Sequence, residues 1–176
     1  MKKKVLKAAA LLLCLAMLAG CRAGGNEEKK ESGWTPVTVT DDLGRTVTIE
    51  EEPRAVAAIM GSFADTWVLA GGTLKAAVHD AWEDFDLDLG EDAVDLGKYN
   101  AIDLEQLFST GADLVLASAN TKKQVDIKDT LEKAGVDVLY FNVNTFEDYL
   151  RMLKTCTDID DLLGLMLNYG IDPLKM

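Results

Sequence analysis

The chain is poor in histidine, cysteine and proline, and each shortage excludes a class of protein. One His in 176 residues excludes a metal cage built from several histidines. The three Cys include no pair at the spacing C-x-x-C, which excludes a zinc ribbon and a dithiol redox motif. Three Pro and 14 Gly exclude collagen-like and proline-rich repeats.

Basic residues are also few beside acidic ones. The 18 Lys and Arg stand against 30 Asp and Glu, for a net charge of −12. Nucleic acid is not an expected partner, because binding its phosphates needs clustered Lys and Arg. Neither the nucleophile elbow G-x-S-x-G nor the phosphate-binding loops G-x-x-x-x-G-K-[ST] and G-x-G-x-x-G are present, so no catalytic residue and no cofactor is predicted. A hydrophobic fraction of 48% fits one globular domain.

Residues 1–20 predict a lipoprotein signal peptide. Four of the first seven residues are lysines, and the run 8–20 is uncharged and too short for a transmembrane helix, which needs about 20 residues. The segment ends in Leu-Ala-Gly-Cys, which resembles the bacterial lipobox, so Cys21 is predicted to carry lipid on the extracytoplasmic face of the cell membrane. An ordinary signal peptide with a chance cysteine is the alternative. Residues 21–35 lack an apolar pattern and predict a flexible tether.

Residues 36–158 predict a three-layer α/β lobe with a mostly parallel sheet and an N-terminal β-hairpin. Apolar residues alternate with threonines on both sides of a turn over 37–49, which is typical of a hairpin. Further strands are predicted over 54–60, 74–78, 94–96, 112–117 and 136–141. Helices are predicted after Gly61, after a capping box of Asp103 and Gln106, over 124–134, and after Thr145 with the stripe Phe146, Tyr149, Leu150 and Leu153.

The carboxyl ends of these strands are the predicted binding site, because ligands of parallel α/β sheets lie there. The candidate ligand-binding residues are small, polar or aromatic: Ser62, Phe63, Trp82, Tyr99, Ser118, Asn120 and Phe141. His79 also follows a strand and either faces solvent, binds a carboxylate or is a ligand of a heme iron. The run 84–90 is either a solvated acidic loop or the start of a calcium loop with its Gly one place late. No metal site is predicted.

Six segments together resemble a known family. They cover residues 39–47, 52–54, 103–107, 111–115, 131–136 and 145–149. In order and spacing they are similar to the N-terminal lobe of a substrate-binding lipoprotein of an ABC importer, of the class that binds iron–siderophore complexes, heme or cobalamin. The resemblance implies two α/β lobes joined by a long helix, a metal-chelate ligand, an ABC permease as partner and no enzymatic activity. It also implies that Glu105, in an Asp-Leu-Glu segment, docks on the permease.

The last residues depart from that family. From residue 159 the sequence no longer resembles the family's long helix and second lobe, and residues 159–176 are too few for a second lobe. The second lobe is therefore expected to be absent, through truncation or in a one-lobe derivative. Two functions remain open on this basis: capture of a metal chelate for an ABC permease, or a surface lipoprotein or nonfunctional remnant that keeps the lobe fold without transport.

Overall fold

The structure, a computed structural model, describes residues 34–160. The predicted signal peptide, the predicted lipidation site Cys21, most of the predicted tether and the sequence after residue 160 lie outside the described residues. Within the described stretch, no helix combines the length and the apolar character needed to cross a membrane.

The chain begins with the predicted hairpin. Strands β1 (Val37–Thr40) and β2 (Thr46–Ile49) pair antiparallel, with Val37 opposite Ile49 and Thr40 opposite Thr46. The valines are half-buried and the threonines of β1 are exposed, because successive side chains of a strand point to opposite faces.

The central sheet has five strands, and all their pairings are parallel. The strands are β3 (Val56–Ala58), β4 (Ala76–Ala77), β5 (Val94–Asp95), β8 (Leu114–Ser118) and β9 (Asp137–Phe141). Their spatial order is β5-β4-β3-β8-β9. This confirms the predicted α/β lobe. All residues of β3, β4 and β8 are buried, as expected for strands covered on both faces.

Helices cover both faces of the sheet. They are α1 (Gly61–Leu69), α2 (Asp80–Glu83), α3 (Leu104–Ser109), α4 (Lys122–Asp126), α5 (Lys128–Lys133) and α6 (Phe146–Asp160). Buried residues of α1, α2 and α6 share one core cluster with alternate strand residues such as Leu116. Those of α3 and α5 share the other cluster with the intervening strand residues, such as Val115. The lobe therefore has three layers with a core on each side of the sheet.

Two elements differ from the sequence prediction. The helix expected over 124–134 begins earlier and is two helices, α4 and α5, because the backbone at Ile127 has ψ −2° and ends the first of them. A second hairpin was not predicted: β6 (Gly97–Lys98) and β7 (Ala101–Ile102) pair antiparallel. Two-residue strands are too short for an alternating pattern to indicate them.

The predicted apolar stripe of the last helix is wrong for two of its four residues. Leu153 packs against the core and Tyr149 is half-buried, but Phe146 is 68% exposed and Leu150 is 46% exposed. The fully buried residues of this helix are Met152, Cys156 and Ile159. The helix carries more apolar residues than one face can bury, and its packing against α1 selects the face of Met152. Burial raises the pKa of the Cys156 thiol to about 12, so this thiol is unreactive at neutral pH.

A carboxylate in the first hairpin joins it to the sheet. The Asp41 side chain is fully buried and accepts hydrogen bonds from the backbone N–H groups of Arg45 at 3.0 Å and Tyr140 at 3.3 Å. The Arg45 guanidinium pairs with Asp41 and Glu132, donates to the Val138 carbonyl at 2.8 Å, and lies 5.0 Å from the centre of the Tyr140 ring.

The next residue, Asp42, joins the same hairpin to the end of β9 and to α6. Its carboxylate accepts from the backbone N–H of Asn142 at 2.6 Å and pairs with Arg151 at 3.1 Å. We call the contacts of Asp41, Asp42 and Arg45 the hairpin junction.

Candidate functional site

The strand order reverses at the middle of the sheet. The chain after β3 crosses through α1 on one face, and the chain after β8 crosses through α4 and α5 on the other. Because β3 and β8 are neighbours, the carboxyl ends of these two strands are where the rule for open α/β sheets places a ligand crevice. We call the segments that follow the strands here the carboxyl edge: residues 59–63, 79–87, 95–100, 118–121 and 141–145.

The seven predicted ligand-binding residues all lie in the carboxyl edge, four of them exposed or half-buried and three of them buried. Ser62, Tyr99 and Asn120 are exposed, and Trp82 is half-buried. Phe63, Ser118 and Phe141 are buried, at 5%, 3% and 4% exposure. The first group forms the surface and the second its floor. Contact of any of them with a ligand stays a prediction.

A buried amide joins three segments of the edge. Gln124, fully buried in α4, donates from Nε2 to the Ile59 carbonyl at 2.5 Å and to the Tyr99 carbonyl at 2.9 Å. Its Oε1 accepts from the backbone N–H of Ser118 at 2.7 Å. One side chain thereby fixes the ends of β3 and β8 and the turn of the β6–β7 hairpin. We call this set of contacts the amide clamp. The clamp is supported by the Tyr140 hydroxyl, which donates to the Gln124 carbonyl at 2.7 Å.

Three asparagines occupy the β8–β9 end of the edge. Asn120 Nδ2 donates to Asn142 Oδ1 at 2.6 Å, and Asn144 Nδ2 donates to the same oxygen. The Asn120 backbone N–H is held by Ser118 Oγ at 3.2 Å. Asn120 and Asn144 are exposed, so this asparagine triad presents neutral hydrogen-bonding groups to solvent.

Aromatic side chains support and flank the crevice. Phe63 and Phe141 pack edge to face below it, with ring centroids 5.9 Å apart. Tyr99 lies at the tip of the β6–β7 hairpin and is 41% exposed. Phe85 lies over the start of α1: a Cβ at Gly61 would stand 3.0 Å from its ring, so a larger residue there would displace the ring.

His79 is held by two carboxylates at the β4–β5 end. Its Nδ1 lies 2.6 Å from Asp95 and its Nε2 lies 3.2 Å from Glu83. The hydrogen bond to Asp95 is the main cause that raises the pKa of His79 above its ordinary 6.5, and the charges of Asp95 and Glu83 raise it further. Across residues 34–160 no group of three or more His, Cys, Asp or Glu side chains is arranged to hold a metal ion.

The opposite, amino edge has a depression of about 410 Å³, and its character is acidic. Its lining includes Glu50, Glu51, Glu52, Asp113 and Asp137. The carboxylate of Asp113 is used structurally, since it accepts the backbone N–H groups of residues 54 and 55 at 2.9 and 3.0 Å. Burial raises the pKa of Asp137, and the charges of Asp113 and Glu50 raise it further.

Two residues important for the edge were not predicted. Gln124 was counted only as the start of a helix, although it stands three residues before Ile127 and seven before Leu131, on the apolar face. A polar residue in an apolar stripe is the signal that could have found it. Phe85 lies in the acidic run 84–90, where no pattern distinguishes it. Glu105, the predicted docking residue, is exposed in the first turn of α3.

The chain is similar to a curated bacterial protein. It is 29% identical over 170 residues to the uncharacterized ABC transporter substrate-binding lipoprotein YvrC of Bacillus subtilis (strain 168), covering 93% of this chain and 52% of that protein. No protein-family model matches the chain. The chain thus spans about half the length of the curated relative it matches.

Solved structures of siderophore-binding proteins share the fold. The catecholate-siderophore binding protein VctP of Vibrio cholerae is 17% identical, with TM-score 0.61 over 78% of this chain and 49% of that one. SirA of Staphylococcus aureus, solved with staphyloferrin B, is 20% identical, with TM-score 0.56 over 76% and 46%. The described residues therefore have the fold of one lobe of siderophore-binding proteins, and the sequence is similar to that of an ABC-transporter substrate-binding lipoprotein.

Proposed function

We propose that the chain is an extracytoplasmic, lipid-anchored solute-binding protein. It captures a ferric siderophore complex, heme or cobalamin and delivers this ligand to an ABC permease. The observation that carries this proposal is the carboxyl edge at the point where the strand order reverses, since open α/β sheets bind ligands at that place. The similarity to the substrate-binding lipoprotein YvrC supports the same conclusion.

Binding in this proposal needs no chemical step. Ser62, Trp82, Tyr99 and Asn120 contact the ligand from the surface of the edge, and the buried residues Phe63, Ser118 and Phe141 hold that surface in shape. The exposed ring of Tyr99 and the half-buried ring of Trp82 suit a bulky chelate, because aromatic rings supply large contact areas with few rotatable bonds.

The experiment is a titration of the full chain with four chelates, followed by Trp fluorescence. This chelate panel is ferrioxamine B, ferric enterobactin, heme and cyanocobalamin. One lobe buries one side of a ligand, so the expected Kd is about 1 μM, roughly 4 kcal/mol weaker than nanomolar binding. Absence of saturable binding across the chelate panel would contradict the proposal and favour a surface lipoprotein without transport.

The anchor and the permease contact are tested separately. Cys21→Ser is expected to move the protein from the membrane fraction to the soluble fraction, because the lipid supplies the apolar attachment. Cys156→Ser, which leaves the predicted lipidation site intact, is the control and stays with the membrane. Retention of an unlipidated Cys21→Ser protein would contradict the anchor. Glu105→Ala is expected to weaken binding to the permease without changing ligand affinity.

A further inference from the structure

The charged groups at the carboxyl edge are mostly acidic. The segments that form it contain five carboxylates: Asp80, Glu83, Asp84, Asp86 and Asp95. The loop after α2 carries two of them in exposed positions, Asp84 and Asp86. Lys98 and a protonated His79 offset two of these charges. The edge therefore repels an anion at neutral pH and low ionic strength.

None of the arginines in residues 34–160 lies in the segments of this edge, so none is placed there to reverse that effect. Of the arginines in residues 34–160, Arg45 and Arg151 are paired within or beside the hairpin junction, and Arg54 pairs with Glu51 at the amino edge. Arginine is the side chain best suited to hold carboxylates and other planar anions, because its guanidinium donates two parallel hydrogen bonds.

The lysines near the edge do not replace the missing arginines. Lys98 lies on β6 and is exposed, and Lys122 at the start of α4 pairs with Asp126 at 2.6 Å. The groups best placed to hydrogen-bond a ligand are instead the neutral amides of the asparagine triad. Amide N–H groups donate to hydroxamate or carboxamide oxygens without needing a charge on the ligand.

We propose that this lobe selects a metal chelate without net negative charge, held by hydroxamate or carboxamide oxygens. This inference rests on the proposed function and names its ligand class. Ferric trihydroxamates belong to the class, because three hydroxamate anions neutralise one ferric ion. Cobalamin belongs to it through its carboxamide side chains. Ferric tricatecholates, which are trianionic, and heme, which carries two propionates, are outside it.

The test compares the four members of the chelate panel on the full chain at low and high ionic strength. Ferrioxamine B or cyanocobalamin is expected to bind at least about tenfold more tightly than ferric enterobactin and heme at low salt. Tight binding of ferrioxamine B would identify hydroxamate oxygens as the recognised groups, and tight binding of cyanocobalamin would identify carboxamide oxygens. The ratio between these affinities is expected to shrink at an ionic strength of about 1 M, where the Debye length falls to about 3 Å.

A charge variant shows whether the edge causes the preference. Asp84→Asn/Asp86→Asn removes two charges with little change in shape, and asparagine tolerates the positive φ of Asp86. It is expected to improve the affinity for ferric enterobactin at least about threefold at low salt. The matched control Glu50→Gln/Glu51→Gln removes the same charge at the amino edge and is expected to change that affinity less than about twofold.

The outcomes separate the two proposals. If ferric enterobactin or heme binds as tightly as ferrioxamine B or cyanocobalamin, the inference is overturned while the binding function stands. If the edge variant and the control change the affinities equally, the selectivity does not come from the carboxyl edge and the inference is overturned. If none of the four chelates binds, the proposed function fails and the inference fails with it.

Discussion

The hairpin junction and the carboxyl edge are held together by different chemistry. At the junction, a buried carboxylate and a guanidinium pair across the turn, and both contact backbone groups of β9. At the edge, an uncharged amide makes three hydrogen bonds to backbone groups of three segments. A charged pair tolerates loss of one partner poorly, whereas a neutral clamp fixes a surface without adding charge to it.

This difference separates the residues that identify the fold from those that are predicted to bind. The segment 39–47, which carries much of the family resemblance, contains the hairpin junction and has a structural role. The predicted ligand residues stand in short segments after the strands, where the sequence shows little beyond small, polar and aromatic residues. The likeness to siderophore-binding proteins therefore reflects the architecture, and under the proposed function the choice of ligand depends on the edge.

Breaking the junction is expected to have the largest effect. Asp41→Ala removes a buried carboxylate and leaves the Arg45 guanidinium and the Tyr140 N–H without that partner, so the free energy of unfolding should fall by about 4 kcal/mol. Urea unfolding followed by circular dichroism measures it. The control Asp42→Ala removes a more exposed carboxylate, and its expected loss is about 1 kcal/mol. Equal losses would contradict the assigned role of Asp41.

Breaking the amide clamp is expected to lower the free energy of unfolding less than breaking the junction does, and to weaken ligand binding more. Gln124→Leu keeps a similar volume but leaves the carbonyls of Ile59 and Tyr99 and the N–H of Ser118 unpaired, for an expected loss of about 3 kcal/mol. Because the β6–β7 turn is then free to move, affinity for the chelate panel should also fall. The exposed neighbour is the control: Lys123→Ala should change neither quantity. Unchanged affinity in a folded Gln124→Leu protein would show that the clamp does not position the site.

The smallest expected effect on stability comes from the pair of His79 and Asp95 at the β4–β5 end of the carboxyl edge. The pKa of His79 is raised, so the stabilisation from its pair with Asp95 is complete below the ordinary value of 6.5 and is lost as the pH rises through the raised pKa. The chain has one His, so proton NMR follows its ring signal directly. Asp95→Asn should lower the pKa of His79 and Asp65→Asn, on α1, should not. A pKa of 6.5 or below in the unaltered chain would contradict the pairing.

Much of the fold follows from local sequence signals. Alternation predicted the first hairpin, and the Asp103 cap is confirmed, with its carboxylate accepting the Gln106 N–H at 3.0 Å. Thr145 caps the last helix, since its Oγ1 accepts the Asp148 N–H at 3.2 Å and the Asp148 carboxylate accepts the Thr145 N–H at 3.0 Å. These contacts join residues three apart, so a local pattern is sufficient to predict them.

Long-range contacts could not be predicted in the same way. The bonds of Gln124 to Ile59 and Tyr99 span 65 and 25 residues, and Asp41 reaches Tyr140 across 99. The buried face of α6 depends on its packing against α1, so the apolar spacing at Phe146 and Leu150 indicated the wrong stripe. The strand-end rule predicted the general place of the site but not which of its residues are exposed.

The most direct test of the carboxyl edge as the binding face is calorimetry on an aromatic variant. Trp82→Ala/Tyr99→Ala should weaken the binding of each panel chelate that binds the unaltered chain at least about tenfold, because the proposed function places both rings against the ligand. Phe108→Ala removes a ring of similar exposure, 39% against 41% for Tyr99, from α3, and should leave the affinity unchanged. Full affinity in the double variant, or an equal loss in Phe108→Ala, would contradict the account.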